Sequence, residues 1–167
     1  MFVFTDASYT DNPKMSGYGF VIIDKKDNIY TQGGYTQKCE NNNIAEAWAV
    51  EQALKFIDEN FIIEYSGDET INIITDSKHV LKHLDDLRPN EYETEIFDNI
   101  RDLRYKYKVN FFHIKGHVHD DTKLSYYNNI ADCIAKEHRL LGLERYNNYQ
   151  RKLMKNIIKE KIKKGKK

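Results

Sequence analysis

The chain has 167 residues, 40% of them hydrophobic and 31% charged, which suits one ordinary globular domain able to close its core without disulfides. Cys39 and Cys133 fall outside any paired spacing, so neither a disulfide framework nor a zinc site is indicated. The net charge of zero conceals an asymmetry: residues 151–167 carry nine Lys or Arg against Glu160 alone, a local +8 that leaves −8 on residues 1–150, which argues against a general electrostatic grip on nucleic acid by the body and suits a site that concentrates carboxylates.

The chain opens on Phe2-Val3-Phe4 with neither a basic leader nor a long apolar run, and no stretch approaches membrane-spanning length. A soluble, cytoplasmic protein without membrane contact, monomeric by default, is the expectation. Phe2 to Thr5, Gly17 to Ile23 and Ile29 to Tyr35 are β-branched or aromatic runs separated by Asp11-Asn12-Pro13 and Lys26-Asp27-Asn28, which predicts a three-stranded meander. From Asn43 to Asn60 the period becomes helical, with Ile44, Ala47, Trp48, Leu54 and Ile57 on one face. Ile71 to Thr75 reads as a central strand, followed by a helix through Val80, Leu81, Leu84 and Leu87 that Arg88-Pro89 breaks. Tyr92, Ile96, Ile100, Leu103 and Tyr107 mark another helix before the strand Val109 to Ile114.

The last helix is expected to start near Tyr127. A stripe of Leu140, Leu143, Tyr146, Leu153, Ile157 and Ile162 continues it, with Lys on the outer face. Gly142 is the natural divider between a unit over residues 1–141 and a basic helical extension over 142–167. The order β-β-β-α-β-α-α-β-α implies an α/β fold, a five-stranded mixed sheet with helices on both faces.

Three acids stand where a sheet element meets a turn or helix: Asp6 after Phe4-Thr5, Asp76 after Ile74-Thr75, and Glu46 one turn into the Asn43 helix; Asp132 opens the final helix. Singly, each is most simply a solvated surface acid. Jointly they differ, because in this order the first and fourth strands become adjacent central parallel strands and Asp6 and Asp76 emerge side by side. Carboxylates brought together repel and raise one another's pKa unless cations hold them. Hard oxygen ligands without His or Cys favour Mg²⁺ or Mn²⁺, with positions left for water and phosphate oxygens, so phosphodiester chemistry is the natural reaction class.

At these residues the chain resembles the type 1 ribonucleases H. Thr5-Asp6-Ala7-Ser8 is similar to the family's first-strand motif, Asn42-Asn43-Ile44-Ala45-Glu46 to its Asn-Asn-x-x-Glu helix start, and Thr75-Asp76-Ser77 to its fourth-strand motif. Lys115-Gly116-His117 and Asn128-Asn129-Ile130-Ala131-Asp132 resemble its closing motifs, and the likeness runs from Phe2 to about Arg139. It implies a ribonuclease H-like fold in which Asp6, Glu46, Asp76 and Asp132 hold two Mg²⁺ ions, with Mn²⁺ as a substitute. His117 would then assist proton transfer or product release. The partner implied is an RNA/DNA hybrid, its RNA strand hydrolysed to 5′-phosphate and 3′-hydroxyl ends.

Asn42 and Asn43 would donate to base edges or a 2′-hydroxyl in the minor groove, or else cap the helix. Ser8 would contact substrate backbone and Asn128 would support the His117 loop. His79, His83, His119 and His138 read as plain surface residues, His113 as part of its strand, and Val118 to Tyr127 as a flap. Ala7 stands where many members carry Gly. The stretch between Asp76 and His117 reads as too short for the basic protrusion that some members use, so the Lys-rich C-terminal helix is expected to grip the hybrid, with a solvated amphipathic helix packed on the body as the alternative. Rival functions are a catalytically silent nucleic-acid-binding module and another metal nuclease on this fold, such as a junction resolvase or an integrase-like strand transferase.

Overall fold

The structure, a computed structural model, describes residues 1–61, 70–84, 91–115 and 122–164, without the side chains of 91–94 and 158–164. The elements follow the expected order: β1 (Phe2–Asp11), β2 (Lys14–Ile23), β3 (Ile29–Thr36), α1 (Asn42–Asn60), β4 (Thr70–Thr75), α2 (Lys78–His83), α3 (Glu91–Lys106), β5 (Lys108–His113) and α4 (Lys123–Lys164). The strands form one sheet in the order β3-β2-β1-β4-β5. β1–β2 and β2–β3 pair antiparallel, whereas β1–β4 and β4–β5 pair parallel, so the sheet is mixed as expected.

Side chains of the central strands alternate between two cores, as the period of two requires. Val3, Phe20, Ile22, Ile71 and Ile73 face α1 and α3, where Ala45, Ala49, Leu54, Ile57, Phe97 and Ile100 are buried. Phe4, Val21 and Ile74 point the other way, onto Ala131, Ile130 and Ile134 of α4. Helices therefore cover both faces. Met1 is tied down as well, its amino group donating to Thr70 O at 3.1 Å.

Three boundaries differ from expectation, each for a local reason. β1 runs on to Asp11 although residues 6–11 lack apolar alternation, because the whole hairpin pairs with β2 out to Asp11↔Lys14. α4 starts at Lys123 rather than near Tyr127, since Thr122 Oγ1 accepts the Ser125 amide at 3.3 Å and serves as the cap. Gly142 does not divide α4, which continues unbroken for 42 residues, about 63 Å of axis at 1.5 Å per residue. Leu87 and Arg88-Pro89 lie outside the described residues. The C-terminal stripe is not packed on the body along its length: Leu140, Leu153 and Ile157 are exposed.

Glycines in β2 set how closely α4 approaches. A Cβ on Gly19 would lie 2.3 Å from Ala131 O, and Gly19 is the antiparallel partner of Asp6. The missing side chain thus lets the turn of α4 carrying Asp132 settle against the strand carrying Asp6. Among the described residues no helix is long and apolar enough to cross a membrane, and Cys39 and Cys133 are both free.

Candidate metal centre

The parallel pairing of β1 with β4 ends at Phe4↔Ile74. Two residues further along each strand stand Asp6 and Asp76, at the place where β1 leaves β4 and continues with β2 alone. On the α1 side, Asn41 caps the helix by accepting the Ile44 amide at 3.0 Å, and Glu46 follows one turn later. Asp6, Glu46 and Asp76 each offer a carboxylate oxygen within 4.8 Å of the others.

Burial makes this proximity costly without a counter-ion. Asp6 and Glu46 are each only 6% exposed. Burial, then the charges of Asp76 and Asp132, pushes the Asp6 carboxyl up to about 8 from an ordinary 3.8, against the Ala7 amide, which donates to Oδ1 at 2.7 Å. Glu46 is likewise held well above the carboxylate range, first by burial and then by Asp6 and Asp76. Its Oε1 has the Asn42 amide at 3.5 Å, while its buried Oε2 has no hydrogen-bond partner among the described residues.

Glu51, buried five residues on in the same helix, supplies the contrast. Lys55 pairs with it at 2.7 Å and Asn99 Nδ2 donates to it at 2.6 Å. One buried acid of α1 is satisfied by protein partners, and the other keeps an unpartnered oxygen, among the described residues, in a group with two more carboxylates. An all-oxygen donor set with an orphaned acceptor fits a hard divalent cation.

Asp132 lies at the same cleft, and its charge raises Asp6, but it is not within the close group of three. Lys136, one turn on in α4, binds Asp132 Oδ2 at 2.6 Å, and the bridge raises the Lys136 ammonium pKa. The cleft, about 430 Å³, is also lined by Ser8, Asn42, Asn43, Lys78, His79 and Lys136.

The remaining expectations divide. Asn42 and Asn43 reach the cleft but neither caps α1, a role that falls to Asn41. Ser8 reaches it from β1. Asn128 is buried in α4, does not line the cleft, and its Oδ1 has no partner among the described residues. His117 lies outside the described residues, as do His119 and the rest of 118–121 in the expected flap; the remainder is not a flap, because Lys123 to Tyr127 form the opening of α4 behind the Thr122 cap.

His79 and His83 are not plain surface residues: their rings lie 4.3 Å apart against Phe97, and His79 lines the cleft. His138 is half-buried beside Gly33, where an added Cβ would meet its ring at 2.2 Å. His113 ends β5, its Nε2 3.2 Å from Asp76 O. Lys136 was legible as the i+4 partner of an acid on a helix, and His79 as the third residue after Asp76.

The RNase H family model matches residues 1–139. A relative named Ribonuclease H, from Trichodesmium erythraeum (strain IMS101), is 26% identical over 129 residues, 69% of this chain and 76% of its own. The fold is similar to that of RNase H1 from the halophilic archaeon Halobacterium salinarum NRC-1, with a TM-score of 0.64 at 20% identity over 82% of this chain and 95% of that one. It is also similar to LC11-RNase H1, solved in complex with an RNA/DNA hybrid, with a TM-score of 0.67 at 22% identity over 85% and 98%.

Proposed function

The chain belongs to the RNase H family, and from that premise we propose that it hydrolyses the RNA strand of RNA/DNA hybrids at the Asp6–Glu46–Asp76 centre, using two divalent ions and leaving 5′-phosphate and 3′-hydroxyl ends. The observation that carries the reading is the approach of those three carboxylates to within 4.8 Å, with Glu46 Oε2 buried and unpartnered. Asp6, Glu46 and Asp76 would hold the first ion, and Asp132 would join them for the second once Lys136 gives way. When bound, the ions supply Lewis acidity that readies a water and stabilises the leaving oxygen. Mg²⁺ suits the donor set, with Mn²⁺ as a substitute.

This chain's own side chains account for binding and orientation. The Asn42 amide contacts Glu46 Oε1 and restrains its rotation. Asn42, Asn43 and Ser8 present donors along the cleft wall, suited to 2′-hydroxyls and sugar–phosphate backbone in a shallow minor groove. Lys78, exposed at the start of α2, adds a positive charge beside the acids for a phosphate. His117 takes the role of proton carrier, a task suited to a group with a pKa near neutrality.

A catalytically silent module would have no use for carboxylates that destabilise one another. The deciding experiment is a Mg²⁺-dependent cleavage assay on hybrid, double-stranded RNA and double-stranded DNA, with Asp76→Asn as control. Selective cleavage of the hybrid by the wild-type chain alone is expected. Equal activity of the variant, or preference for duplex DNA, would overturn the reading.

A further inference from the structure

Thirteen residues along α4 from Asp132, a second cleft of about 460 Å³ opens between that helix, the start of β2 and the end of β3. Met15, Tyr35, Lys38, Arg145, Tyr146 and Tyr149 line it, and no carboxylate does among the described residues. Gly142 makes its floor possible, since a Cβ there would lie 2.5 Å from Met15 Sδ and 2.8 Å from the Tyr35 ring. Arg145 is fixed in place: Nη1 donates to the Tyr35 hydroxyl at 2.8 Å, and the guanidinium stands 5.6 Å from the centroid of the same ring. Among the described residues its hydrogen-bond partner is the Tyr35 phenol, and no carboxylate pairs with it.

Tyr149 is 63% exposed at the cleft mouth. The family model ends at residue 139, so Arg145, Tyr146 and Tyr149 belong to a stretch that it does not cover. Beyond them come the nine basic residues of the C-terminal segment.

We propose that this cleft binds single-stranded nucleic acid continuing from the hybrid held at the carboxylate centre. The cations meet phosphates, as they would on any polyanion, but the tyrosines select. Bases in a duplex already stack on one another, whereas unpaired bases offer free faces to an aromatic ring. Thirteen residues of α4 span about 20 Å, or roughly six nucleotides at the 3.4 Å axial spacing of a stacked strand and fewer if the strand is drawn out, so a single-stranded extension of about six nucleotides reaches from one site to the other. The continuity rests on the function proposed above, while the binding of a free single strand does not.

Two measurements separate them. Anisotropy of labelled oligo(dT), about 12 nucleotides long, in chelator should weaken about 5- to 100-fold in Tyr149→Ala and in Arg145→Ala, while Tyr149→Phe keeps the ring and stays near wild type. Arg145→Ala should also flatten the salt dependence by about 0.7 in log–log slope. In cleavage assays both Ala variants should raise KM for a hybrid with a single-stranded extension and leave KM for the blunt hybrid unchanged. Oligo(dT) affinity unchanged in both Ala variants would overturn the proposal, as would equal losses on blunt duplex. If wild-type protein cleaves neither hybrid yet binds oligo(dT) through these residues, the function fails and the cleft stands.

Discussion

Replacing Asp6 by Asn should make the metal-free protein more stable at pH 8, even though the change removes a proposed metal ligand. Asp6 is 6% exposed, and its carboxyl is pushed up to about 8 from 3.8, chiefly by burial and then by Asp76 and Asp132. The distance between 3.8 and about 8 bounds the cost of ionising it at several kcal/mol, on the order of 5 kcal/mol. Asn keeps the oxygen that accepts the Ala7 amide and carries no charge. Relaxation and water entry reduce the gain, so about 2–3 kcal/mol is expected, which in a chain of this length raises Tm by about 5–10 °C.

The sign with pH follows from the direction of the shift. Between about 4 and about 8 the unfolded chain has released the Asp6 proton and the folded chain still holds it, so wild-type stability falls as pH rises through that window. The gap between variant and wild type therefore widens from pH 5 to pH 8. Glu46, raised in the same direction, leaves some slope in the variant too. Thermal melts in chelator at several pH values read this out, and repeating them in Mg²⁺ should stabilise the wild type more than the variant. A variant melting at or below wild type at pH 8 in chelator, or a flat wild-type profile, would refute the reasoning.

Other outcomes follow from the same geometry. Asp76→Asn should abolish hybrid cleavage, a larger loss than the roughly 10-fold expected for Asn42→Ala, which frees Glu46 to rotate and removes one donor from the cleft wall; steady-state rates compare them. Gly19→Ala puts a Cβ 2.3 Å from Ala131 O and should cost about 1–3 kcal/mol in chemical denaturation while also lowering activity, because α4 carries Asp132 away from Asp6. Lys136→Met removes the cation bound to Asp132 and should tighten divalent binding several-fold in calorimetric titration; weaker binding would contradict that role.

How far the residues announced this arrangement depended on the range of the interactions. Apolar runs that stop at an acid located Asp6 and Asp76, because a central strand must be apolar until it leaves the sheet. The cap of α1 was harder to read, since Asn41, Asn42 and Asn43 are alike and only backbone geometry selects Asn41. Residues 6–11 gave no alternating pattern, yet β2 supplied a partner for each of them. Asp132 stands outside the close group of three, a separation set by how α4 packs on the sheet, whereas its pairing with Lys136 follows from their spacing of four on one helix. The Tyr35–Arg145 contact joins residues 110 apart, so no local pattern foretold the second cleft.

The central claim is that Asp6, Glu46 and Asp76 together bind a divalent cation. Crystals soaked in Mn²⁺ and measured above the manganese absorption edge test it most directly. An anomalous peak among those three carboxylates is predicted, weakened in Asp76→Asn. Well-ordered carboxylates with no peak between them at saturating Mn²⁺ would contradict the account.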